Sequence, residues 1–103
     1  MIEISDKTFT KETKNKTVIV DFWAEWCGPC KMMEPMFKEL SKDYDCIVFA
    51  KMNVDEHPDF VAELGIQSIP TLIVFKNGKE TDRIVGMMPK PVLKKKMDGI
   101  FGK

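Results

Sequence analysis

Hydrophobic side chains fall along this chain in blocks whose period changes several times. The most continuous block, Thr17-Val-Ile-Val-Asp-Phe-Trp23, is rich in β-branched and aromatic residues, which suits a central strand buried on both faces. It delivers the chain directly to Trp26-Cys-Gly-Pro-Cys30. From Cys27 to about Lys42, Met33, Met36, Phe37 and Leu40 recur at helical spacing. Pro35 interrupts that helix, removes one backbone donor and is expected to kink it. Ahead of these elements, Ile2 and Ile4 alternate as a short first strand. Ser5 or Asp6 is then placed to cap a weak helix through about Glu12, before the polar Lys14-Asn15-Lys16.

Cys46 to Val54 repeats the buried-strand pattern, and Asp55 to Leu64 reads as a short helix with Pro58 near its start and Gly65 after its end. Alternation of strand and helix implies an α/β fold with a parallel sheet. Thr71 to Lys76, the turn pair Asn77-Gly78, and Glu80 to Val85 form a hairpin, so the sheet is expected to be mixed. After Gly86, Lys90 to Phe101 places Val92, Leu93, Met97, Ile100 and Phe101 on one helical face. Lys94, Lys95 and Lys96 lie largely opposite and read as the solvated face of a packed helix, not as a membrane or nucleic-acid patch.

Composition narrows the choice. A chain of 103 residues with 44% hydrophobic content fits one domain, 1–103, around a single core, and no repeat, low-complexity block or linker divides it. With 16 basic and 16 acidic residues the net charge is zero, so neither nucleic acid nor an anionic membrane is an expected partner. Partners should be recognised by shape and apolar contact. Met1-Ile-Glu-Ile-Ser-Asp6 lacks the basic and apolar regions of a secretory signal, and no apolar run reaches about eighteen residues; a cytoplasmic location is expected. Three cysteines, two of them close together, suit redox or metal chemistry better than stapling.

If Cys27 is the N-cap and Gly28, Pro29 and Cys30 open the helix, the two sulfurs face the same first turn and can approach bonding distance. Free amides and the positive end of the helix dipole favour a thiolate at Cys27. Pro29 has no N–H, so the nearest donor to the Cys27 sulfur should be the Cys30 amide. Cys27, at an exposed lip, would attack a substrate disulfide, and Cys30, one turn deeper, would resolve the mixed disulfide. Zinc sites also use this spacing, and Cys46 with His57 could supply two further ligands. Against this, Cys46 opens a strand and reads as a small buried hydrophobe, and His57 as a surface or helix-start residue.

Asp21-Phe-Trp-Ala-Glu-Trp-Cys-Gly-Pro-Cys-Lys31 resembles the active-site segment of the thioredoxin family over eleven consecutive residues. The resemblance continues through Lys51-Met-Asn-Val-Asp55, Gly65 to Pro70 with Thr71, Phe75-Lys-Asn-Gly78 and Val85-Gly86. It implies a five-stranded mixed sheet of order 1-3-2-4-5 flanked by four helices, with strands four and five antiparallel to the rest. It also implies a protein-disulfide reductase and electron carrier acting through Cys27 and Cys30. Disulfide-containing proteins would be its substrates, a separate thioredoxin reductase its electron donor, and it would be a monomer with no cofactor beyond the dithiol and no metal. Gly28-Pro29 matches the reducing members, whereas oxidants and isomerases often carry His between the cysteines. A redox-inert scaffold on the same fold, or an oxidising member in an export compartment, is disfavoured by the intact Cys27, Cys30 and Asp21 and by that dipeptide.

Asp21 interrupts an apolar strand, so burial should raise its pKa toward neutrality and let it accept and return the Cys30 proton. By resemblance, Lys51 lies close to Asp21 as its charge partner and Pro70 forms a cis bond beside the dithiol, leaving the Ile69 backbone free to pair with an extended substrate. Trp26, Gly65, Ile69, Gly86 and Met87 are expected to form a shallow apolar surface around the cysteines. Met32, Met33, Met87 and Met88 fall near that region, although Met33 and Met36 fit core packing equally well.

Overall fold

The computed structural model describes every residue from Met1 to Lys103. It runs β1 (Ile2–Glu3), α1 (Phe9–Thr13), β2 (Thr17–Trp23), α2 (Gly28–Leu40), a 3-10 turn (Ser41–Asp43), β3 (Val48–Asn53), α3 (Pro58–Glu63), β4 (Thr71–Lys76), β5 (Lys79–Val85) and α4 (Lys90–Phe101). The strands form one sheet in the order β1-β3-β2-β4-β5. β2, with five consecutive buried residues, lies between β3, which is parallel to it, and β4, which is antiparallel. β4 runs against β2 and β5 against β4, so the direction reverses twice and β5 again runs with β1 to β3. The expectation that both hairpin strands oppose the rest therefore holds for β4 alone.

Side chains alternate across each strand, and the two faces build separate cores. Ile19, Phe49, Leu72 and Val74 point to the face covered by α2 and α4, where they meet Met33, Phe37, Leu40, Leu93 and Met97. Val18, Val20, Phe22, Ala50, Met52, Ile73 and Phe75 point to the other face, which Phe9 of α1 and Phe60 of α3 help to cover. Met33 is wholly buried here, which removes it from the proposed methionine surface; Met36 and Met88 also pack against this core.

Local hydrogen bonding explains where the elements differ from the periodicity. Ser5 and Thr8 cap one another reciprocally, with Ser5 N–H donating to Thr8 Oγ1 at 2.9 Å and Thr8 N–H to Ser5 Oγ at 3.2 Å. They hold a turn, and the regular helix starts only at Phe9. Tyr44 accepts the Ile47 amide in another turn (3.1 Å), so β3 starts at Val48 and Cys46 is exposed before it, not buried within it. Asn53 Oδ1 accepts the Asp55 amide at 2.9 Å, which spends Asp55 to His57 on a turn and delays α3 to Pro58. On α4 Leu93 and Met97 are buried and Ile100 and Phe101 half-buried against the same core, while Val92, a third of a turn away, is exposed. Asn77 and Gly78 both adopt positive φ, 50° and 80°, as a two-residue hairpin turn demands. No helix is long and apolar enough to cross a membrane.

Candidate active site

β2 and β3 are parallel neighbours and end at the same edge of the sheet, where α2 begins. Cys27 is the N-cap of α2, extended at φ −90° and ψ 105°, and Pro29 occupies the first turn. The Cys30 amide donates to Cys27 Sγ at 3.2 Å, and the Cys27 carbonyl accepts the Lys31 amide at 3.2 Å. Cys27 and Cys30 are joined as a disulfide with Cα atoms 5.3 Å apart, within the ordinary range for such a bond. In this oxidised form both are buried, at 4% and 2% exposure, among Ala24, Trp23, Val54 and Ile69. The lip-and-depth contrast expected between the two cysteines is thus small. Gly28 is exposed, and a side chain there would meet nothing within 4 Å, which leaves the approach to the pair open.

The loop before β4 faces this helix start. The Ile69–Pro70 peptide is cis, and the Ile69 carbonyl oxygen lies 3.9 Å from Cys27 Sγ. Gly86, at φ 92°, donates its amide to the Pro70 carbonyl at 2.8 Å, tying the end of β5 to this loop. Few residues with a Cβ adopt that φ. Met87 follows it and is exposed.

Trp26 is 71% exposed, yet its indole N–H donates to Asp55 Oδ2 at 2.8 Å, which fixes the ring against the α3 side of the site. An open groove of about 160 Å³ runs beside it, walled by Val54, Val61, Ile66 and Ile69 and polar at Gln67 and Ser68. Gly65 closes α3 by donating its amide N–H to the Ala62 carbonyl at 3.0 Å and is not part of that wall. Ile69 was expected here, whereas Asp55, Val54, Val61 and Ile66 escaped sequence reasoning, because only the fold after β3 brings them to Trp26.

Under α2, strand parity puts Asp21 and Lys51 on the same face, and the sheet register sets them opposite one another. Asp21 is 1% exposed and its Oδ1 has no hydrogen-bond partner. Burial pushes this carboxyl up from 3.8 to about 7, the negative charge of Glu34 pushes the same way, and Lys51 opposes both. The Lys51 ammonium does not bond Asp21. It donates to Glu34 Oε1 at 2.9 Å and lies 5.0 Å from the Trp23 ring centre, and the Glu34 bond holds its pKa above the usual lysine value. Glu34 was also missed. Its spacing from Cys30, one helical turn, was the available signal.

No three His, Cys, Asp or Glu side chains are grouped to hold a metal ion. Cys46 stands beside Tyr44, Ile47 and Phe101, and His57 Nδ1 lies 3.5 Å from Asp6 Oδ1, so neither joins the dithiol.

A switchable cysteine pair capping the first long helix of an α/β sheet, with a cis-proline loop against it, defines a thiol–disulfide oxidoreductase. A family model described as Thioredoxin matches residues 1–99. The chain is 46% identical to a thioredoxin of Chlorobaculum thiosulfatiphilum, over 97% of this chain and 95% of that protein. It is 43% identical to a thioredoxin of Staphylococcus haemolyticus, over 95% of each. The chain belongs to the thioredoxin family, and cycling of Cys27 and Cys30 between dithiol and disulfide makes it a protein-disulfide reductase and electron carrier.

Proposed function

We propose that residues 1–103 act as one monomeric reducing domain in the cytoplasm, with Cys27 as nucleophile, Cys30 as resolving thiol and Asp21 as the proton-transfer group. The Cys30 amide on Cys27 Sγ (3.2 Å) is the observation that carries the assignment, since a thiolate at Cys27 would keep that donor. The thiolate attacks a substrate disulfide, forming a bond from Cys27 to one substrate sulfur and releasing the other as a thiolate. Cys30 then gives its proton to Asp21 and its sulfur attacks Cys27. The internal disulfide closes, and the second substrate thiolate leaves with a proton. Two electrons have passed to the substrate, and a thioredoxin reductase restores the dithiol.

An extended substrate segment pairs with the Ile69 backbone ahead of Pro70, while Trp26, Gly86 and Met87 offer apolar contact. Gly65 contributes by ending α3, and Gly28 and Pro29 by opening α2 without a bulky side chain over the pair. A reducing member should lie near about −270 mV, a general value for thioredoxin itself and not one worked out from this chain, against about −120 mV for a strongly oxidising relative.

Reduction of insulin in the presence of dithiothreitol tests the activity, and Cys30→Ser should accumulate mixed disulfides with substrate proteins. Absence of insulin reduction, or a potential above about −200 mV, overturns the reducing assignment.

A further inference from the structure

Lys51 leaves β3 on the face that α2 covers, with one carboxylate beside it in the sheet and a second above it on the helix. The ammonium bonds the second, at 2.9 Å from Glu34 Oε1, and the buried Asp21 Oδ1 is left without a donor. Glu34 is half-buried, on the turn of α2 that follows Cys30. The other acid of that helix, Glu39, is exposed and paired with Lys90. A lysine free to swing onto its register neighbour would hold Asp21 ionised and occupied.

We propose that Glu34 is a positioning residue for the resolving step: its carboxylate holds the Lys51 ammonium off Asp21, so that the buried carboxylate is free to take the Cys30 proton. This rests on the reading of Asp21 as the proton acceptor. When Cys30 attacks Cys27, the Cys30 proton goes to Asp21, the bond between the two cysteine sulfurs forms, and the bond from Cys27 to the substrate sulfur breaks. The departing thiolate takes up a proton, and no outside oxidant or reductant enters.

The charges around Asp21 agree with this division. Beyond its burial, Glu34 from α2 raises its proton affinity and Lys51 from β3 lowers it, in that order of weight. Glu3 on β1 acts on Lys51, and β4 places the uncharged Leu72 opposite Asp21. A general base works best when its pKa lies near the working pH, and a bonded ammonium would take Asp21 away from that point.

The test follows the Asp21 carboxyl by carbon NMR in the reduced protein and the pH profile of single-turnover disulfide reduction by stopped flow. Glu34→Gln keeps the shape and an acceptor for Lys51 but removes the charge. The Asp21 midpoint should fall by about one pH unit, and the acid limb of the rate profile should follow it. Glu34→Asp should recover most of that shift. In a Lys51→Met background the same Glu34→Gln change should move the midpoint less than half as far. An unmoved midpoint in Glu34→Gln, or equal shifts in both backgrounds, overturns the positioning role while leaving Asp21 as the acceptor. If Asp21→Asn leaves the pH profile unchanged, the acceptor role itself fails, and the role of Glu34 with it.

Discussion

Replacing Asp21 by Asn should stabilise the oxidised protein, and the gain should depend on pH in a way that identifies its cause. In the folded state burial raises this carboxyl from 3.8 to about 7. Below about pH 3 the group is largely protonated whether the chain is folded or not, and it makes stability no more dependent on pH. As pH rises the unfolded chain releases its proton first, so the native state holds more protons and its stability falls with pH. The loss levels off once pH passes the folded value. At about 1.36 kcal/mol per pH unit, the difference between 3.8 and about 7 amounts to about 4 kcal/mol. That is a large part of the roughly 5–15 kcal/mol that keeps a domain folded. Asparagine has nearly the same shape and cannot ionise, so the variant escapes the loss. Guanidinium unfolding followed by fluorescence, from about pH 3 to pH 9, should give curves that start close together and diverge to about 4 kcal/mol, with the variant higher. Curves that stay parallel over the whole range would refute the argument.

Two further substitutions separate folding from recognition. Phe37 is wholly buried on α2 with its ring centre 4.7 Å from that of Phe49, and Phe37→Ala should cost about 3–5 kcal/mol in the same unfolding assay. A loss under about 1 kcal/mol would mean that the α2 face of the sheet is not closely packed. Trp26→Ala removes an exposed ring held by Asp55, so stability should change by less than about 1 kcal/mol while KM for protein disulfides rises several-fold. Reduction of a small disulfide, which cannot span the groove, should be affected much less; equal losses on both substrates would remove Trp26 from recognition.

Legibility in the sequence followed how locally each feature is determined. β4 and α4 start and stop where the apolar pattern does, because Asn77-Gly78 enforces the turn and Gly102 takes a left-handed C-cap. The Cys30 amide on Cys27 followed from position numbers, since N-cap geometry and a proline at the second position leave one donor. Asp55 was different: a charged residue after a strand reads as part of the next helix, and its bond to Trp26 exists only because Asn53 folds the chain back. Glu34 looks like a solvated helix residue until the sheet register sets Asp21 and Lys51 beneath it. The direction of β5 was a matter of carrying the hairpin reversal through, and the resemblance alone misstated it.

The exposed Cys46 changes how the redox state of this molecule is counted. Closing the Cys27–Cys30 bond leaves one thiol free and in contact with solvent, so the oxidised form still consumes one equivalent of an alkylating reagent and the reduced form three. That remaining thiol can link two copies of the chain or take up a small thiol under oxidising conditions without touching the sheet edge where exchange occurs. Gel shifts and mixed-disulfide traps therefore report on the Cys27–Cys30 pair alone only in a Cys46→Ser background.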